Sequence, residues 1–193
     1  HWQFTGWTGA TNGCTMVGNV ITAAMSQARA IVATFTIDQH TLTVASLYGG
    51  ASPGTTTTNY NTGLSCYITN SPVVLTGGTT QYVANSGTVL SNDSTGVSAT
   101  NITLTLTNNA TLAWNWQTNY WLAMTTNGSG TVSGNFGWAL AASNVTLTAN
   151  PASHWHFTGW TGETNGCTMV DNVITAAMSQ ARAISATFTI DQH

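Results

Sequence analysis

The 193 residues include two Arg, no Lys, four Asp and one Glu, so only 4% of the chain is charged and its formal net charge is −3. That is far below the roughly 25% charged residues of an ordinary soluble domain. It leaves no cationic footprint for nucleic acid or an anionic membrane, no basic amphipathic helix and, without Lys, no Lys–Asn isopeptide cross-link. No apolar run approaches the roughly 18 residues of a spanning helix, so no membrane insertion is expected of this segment. Val, Ile, Leu and aromatic residues are too plentiful for disorder.

From the N-terminus, the first feature is a duplication. Residues 1–40 return as residues 154–193 with 36 identities, differing only at Gln3/His156, Ala10/Glu163, Gly18/Asp171 and Val32/Ser185. Starting without Met partway through a unit, the chain reads as a window of about one and a quarter units from a longer tandem array. The whole unit is 153 residues. Further along, TLTV (41–44), NITLTLT (101–107), NVTLTA (144–149) and ISATFTI (184–190) alternate with a period of two and predict strands. GGASPG (49–54), TGG (76–78), NGSG (127–130), SGN (133–135) and TGETNG (161–166) punctuate them. The one helix-like stretch, ITAAMSQARAI (174–184), is flanked by Thr and Ile and reads as strand–turn–strand. The fold class is all-β, with small β domains in a linear array.

A weaker repeat lies inside the unit. Residues 41–53 align with 120–132, 63–72 with 143–152, 79–88 with 154–163, and 101–116 with 172–188. This divides the chain into residues 1–40, the back half of a preceding B module, an A module (41–117) and a B module (118–193). The apolar face of residues 1–40 (Phe4, Trp7, Val20, Ile31, Phe35) lacks the strands that 120–149 supply to the second copy. It is expected to be completed by another such front half, either of a preceding unit or of a neighbouring chain.

FTGWTG (4–9 and 157–162), followed by MSQARAIVATF (25–35) and MSQARAISATF (178–188), resembles the divergent internalin-type B repeats of very large bacterial surface proteins. The resemblance covers B well and A only through its strand pattern, since A reads ANSG (84–87) where GWTG should stand. It implies β-grasp-like modules with at most one short helix each, on secreted or cell-surface chains, in structural, adhesive or spacer roles.

Candidate chemistry is sparse. His154 and His156 form an H-x-H whose side chains share a strand face, as two metal ligands would, but the first copy reads His1-Trp2-Gln3. No metal or cofactor is expected. Asp38, Asp93, Glu163, Asp171 and Asp191 are scattered singly, and two of them become Ala10 and Gly18 in the duplicate, so no nucleophile–base–acid set assembles. GGASPG lacks the Lys and the helix of a phosphate cradle. The Thr spacing is too irregular, and the repeat too long, for an ice-binding solenoid. Arg29 and Arg182 are one site and read as a solvated turn charge or a local ion pair.

Trp7 and Trp160, with Phe35 and Phe188, are expected in module cores, because each aromatic ring buries about 150–250 Å². Trp114, Trp116, Tyr120 and Trp121 are placed at the A–B joint. Cys14 and Cys167 are one site, so the unit holds two cysteines, an even count that suggests one bridge per unit in a secreted chain. Cys14–Cys66 is the favoured pairing and Cys66–Cys167 the alternative; a third reading leaves all three free as small apolar residues. The expected function is an extracellular, non-catalytic structural repeat building a filament or stalk, its partners other copies of itself. The alternative is an adhesin presenting Trp and Tyr to surface glycans.

Overall fold

The computed structural model describes residues 1–92, 96–97 and 100–192; Asp93 lies outside them. No helix occurs among the described residues, so the short helix allowed per module is not formed, and the all-β reading holds. Residues 1–40 form β1 (Trp2–Gly9), β2 (Cys14–Val17), β3 (Val20–Ala23) and β4 (Ile31–Ile37). β1 pairs with β4 and β2 with β3, giving two separate two-stranded sheets.

The A region continues with β5 (Gln39–Ser46), β6 (Ala51–Ser52), β7 (Thr56–Asn59), β8 (Gly63–Ile68), β9 (Val73–Val74), β10 (Thr80–Leu90), β11 (Gly96–Val97) and β12 (Asn101–Thr105). It ends in β13 (Ala110–Asn127), an 18-residue strand. β5 lies parallel to the start of β13, in register from Leu42↔Ala110 to Trp114↔Ser46, and β10 runs antiparallel on the other side. A second sheet, in the order β12-β8-β6, contributes Cys66 and Leu104 to a core completed by Leu42, Val89, Leu106, Ala110, Leu112 and Trp114.

The B region adds β14 (Gly130–Gly134), β15 (Gly137–Leu140), β16 (Asn144–Pro151), β17 (Trp155–Gly162), β18 (Thr168–Val170), β19 (Val173–Ala177) and β20 (Arg182–Ile190). The far half of β13 lies parallel to β20, from Leu122↔Arg182 to Asn127↔Thr187, and β17 flanks β20 antiparallel. The second sheet runs β14-β16-β19-β18. Between the sheets sit Leu122, Leu147, Ile174, Met178, Ile184, Ala186 and Phe188. ITAAMSQARAI is strand, turn, strand, as its flanks predict.

β13 is thus the last strand of the first core and the first strand of the second. Residues 117 and 118 lie inside it, with unbroken strand on either side. The four aromatics expected to gather at this joint are instead distributed. Trp114 is in the first core, and Trp116 stands edge-on to Tyr48 with its indole N–H donated to Ser46. Tyr120 packs on the second core, and Trp121 lies partly exposed, edge-on to Trp138. A continuous backbone ladder joins the modules, so no aromatic plug is required.

One alignment also shifts. The bulge at Phe157/Gly159 in B has its counterpart at Ala84/Ser86 in A, which moves ANSG two residues and sets Gly87 opposite Trp114 where B sets Trp160 opposite Ala186. Each strand pair holds one large ring and one small partner, on opposite strands. A Cβ at Gly87 would stand 3.3 Å from the Trp114 ring. The volume is conserved while its source changes strand, as dense packing permits.

Candidate functional site

Two nearly identical 40-residue segments have opposite solvent environments. Their local structure agrees in detail: Trp2↔Ile37 and Phe4↔Phe35 repeat as Trp155↔Ile190 and Phe157↔Phe188, with the same bulge after Phe4 and Phe157. The turn bond from Ala10 N–H to Ala30 O (2.7 Å) repeats from Glu163 to Ala183 (2.8 Å). Burial differs. Phe188 is 3% exposed and Phe35 52%; Met178 is 0% exposed and Met25 72%. Phe35 is therefore a correction to the expected core, while Trp160 and Phe188 are core and Trp7 is half-buried.

The cause is the set of strands that cover the second copy alone. β20 hydrogen-bonds β17 on one edge and β13 on the other, but β4 pairs only with β1. β19 pairs with β18 and β16, but β3 only with β2. Among the described residues, the edges of β3 and β4 that correspond to the paired edges of β19 and β20 are therefore unpaired. An open edge offers a row of backbone donors and acceptors, a ready template for a further strand.

Arg182 is buried in the second copy. It is 4% exposed and donates to the carbonyls of Ala177 (2.9 Å), Glu163 (2.8 Å) and Asn165 (2.8 Å). The two ion pairs among the described residues involve other groups, so the solvated or salt-bridged reading of this arginine is overturned. Arg182 ties the strand–turn–strand, through Ala177, to the loop after β17, through Glu163 and Asn165. Arg29 donates to Ala24, Ala10 and Asn12 in the same way, half-buried.

The remaining candidates stay apart. The His156 Nδ1 lies 2.8 Å from Asp191, both exposed, while Asp38, at the position equivalent to Asp191, faces the amino terminus at 3.7 Å. Glu163 accepts the Ala183 N–H at 2.7 Å, and Asp171 occupies a turn with φ +52°. His154, in its own turn, has φ +66°. No group of three His, Cys, Asp or Glu gathers among the described residues. Two surface clefts, one against Gly134, Asn135 and Asn144, the other against Thr41, Ser91 and Asn109, have no titratable side chain in their walls. Tyr48 and Tyr82 stack at 3.6 Å, and the hydrogen bond with Tyr82 raises the Tyr48 phenol above its usual range. Sequence reading missed this pair, because it depends on a loop folding back onto β10.

All three cysteines are free, so neither Cys14–Cys66 nor Cys66–Cys167 is formed. Cys66 is a core residue, 1% exposed, and burial pushes its thiol up. Cys14 instead receives a guanidinium N–H from Arg29 at 3.7 Å. Buried, protonated thiols are inert. Alkylation of the native chain should therefore modify Cys14 and Cys167 more than about tenfold faster than Cys66. Equal rates, measured by mass spectrometry, would show that the first core is open.

The architecture defines a tandem-module β protein whose neighbouring cores share strands. Residues 120–192 match the family model described as the divergent InlB B-repeat domain, and that segment is a domain of this family. The match begins within β13, so the domain includes the far half of the shared strand. No curated protein and no solved structure matches the chain.

Proposed function

We propose that this chain is a non-catalytic structural repeat of the bacterial surface or extracellular space, a building block of a filament or long stalk. The observation that carries the reading is β13, which belongs to both cores and leaves little freedom between them. B-repeat domains are typically surface-associated, which supports the location. Among the described residues, Asp38, Glu163, Asp171 and Asp191 sit in turns and at strand ends, which favours structure over catalysis. The Trp side chains favour structure over glycan binding: Trp121 and Trp138 meet at 72°, not as a coplanar platform.

The parallel ladders give the expected length. From Ile31 to Leu42, and then from Ala110 to Met124, strands run the same way and hand over side by side. This is about 25 residues of extended chain per unit, roughly 80 Å at ~3.3 Å per residue before twist shortens it. Chains of one, two and three 153-residue units should therefore gain a constant increment in maximum dimension by small-angle scattering. A gain that shrinks with each added unit would mean flexible joints and would sink the rod.

A further inference from the structure

We propose that the chain carries tension along its strands, each module acting as a clamp whose ladder is sheared, not peeled, by an end-to-end pull. Three strands define the path. The chain enters the first core at the start of β5, passes to the second core along β13 and leaves it at the end of β20. β5 and the start of β13 are parallel neighbours, from Leu42↔Ala110 to Ser46↔Trp114. The far half of β13 and β20 are parallel neighbours too, from Leu122↔Arg182 to Asn127↔Thr187. In each pair the pull draws the earlier strand backward from its first residue and the later strand forward from its last. The two strands are driven past each other along their own axes.

The bonds of a parallel ladder are evenly spaced, so sliding strains every rung together. A slide of a fraction of the ~3 Å bond length weakens all of them at once, and the barrier lies at that short distance. Opened from one end, the same ladder separates rung by rung over a long path. The work a force does on a barrier is the force times the distance to that barrier, so a given force speeds sliding far less than peeling. Forced unfolding follows the unfolding rate, which makes the sliding geometry the stronger one.

Two further features oppose sliding. The core side of each ladder is dry: Leu42, Leu112 and Trp114 under the first, and Leu122, Ile184 and Ala186 under the second, are each no more than 4% exposed. Water does not reach that side to replace a strained bond. Arg182 stands at the first rung of the second ladder. β20 cannot advance on the rest of its module without withdrawing that guanidinium from the carbonyls of Ala177, Glu163 and Asn165. Between the ladders β13 is unbroken strand, so both clamps stand in series under the same force.

The proposal deepens the stalk reading and rests on it for the origin of the pull. The clamp itself is a property of the fold. Its failure would leave the length increment per unit untouched, and strong clamps on flexible joints would fail the increment alone.

The test stretches single full chains between two handles, attached through azide-bearing residues so that the free cysteines stay unmodified. Handles at Gln39 and Gln192 pull along both ladders, whereas handles at Asn127 and Gln192 open the β13–β20 ladder from the end where Asn127 meets Thr187. All three side chains are exposed, so only the direction of the pull differs. The first geometry should give two unfolding events, each at a force at least about twofold above that of the second geometry at the same loading rate. Equal forces in the two geometries would overturn the proposal. So would release of either module, in the first geometry, at or below the peeling force.

Discussion

Phe188→Ala should destabilise the B module by about 3–5 kcal/mol, as removal of a fully buried ring does. Phe35→Ala, the same substitution in the same sequence context, should change stability by less than about 1 kcal/mol. Local propensity, turn chemistry and the pairing with β1 or β17 are common to both sites, so they cancel. The remaining difference is the cover. Phe188 packs beneath Gly130 and against Phe157, and its neighbours Ile184 and Ala186 are closed over by β13. Phe35 is 52% exposed and keeps an edge contact with Phe4, at 5.8 Å between ring centres. A chain with two cores need not unfold in one step. The measurement is therefore the exchange free energy of amides in β20 and β4, each compared with its own wild type. Similar losses at the two sites would mean that the first face is also covered in solution.

The extent to which the fold was readable follows from what a period-two pattern carries. Alternation marks strands and their inward faces, and it located ISATFTI and NVTLTA because Thr and Ser point outward from apolar neighbours. It carries no information on partner or direction. The parallel ladders β5–β13 and β13–β20 were therefore not legible, and neither was β13 as a single strand through two cores. Burial of a given side chain is likewise not a property of its own segment: Phe35 and Phe188 were read alike because their sequences are alike. Cys66 was read as a bridge candidate from even counting, but its position on a central strand between sheets makes it an apolar core residue. In A, ANSG concealed the shared bulge because the large ring had moved across the strand pair to Trp114.

Arg182 is the residue whose role the composition most disguised, and its removal should rank with that of Phe188. Arg182→Met keeps most of the side-chain volume and removes the donors, so the effect reports hydrogen bonds with little contribution from packing. The carbonyls of Glu163 and Asn165 would then lose their donor, while that of Ala177 would keep only the Ser179 N–H. A bond from a charged donor contributes about 1.5–3 kcal/mol and a stranded buried acceptor costs about 1–3 kcal/mol. The three share one guanidinium and are not additive, so the expected loss is about 3–5 kcal/mol. Arg182→Lys should recover less than half of it, because one ammonium cannot span three carbonyls that a planar fork reaches together. Arg29→Met should lose about 1 kcal/mol or less, since water can replace the donor at a half-exposed turn. The partners are carbonyls rather than carboxylates, so the Arg182→Met deficit should be nearly the same in about 0.05 M and 0.5 M NaCl, where an exposed ion pair would be screened away. A deficit that disappears at high salt would mean that Arg182 acts as half of an ion pair, and the carbonyl account of this turn would be wrong.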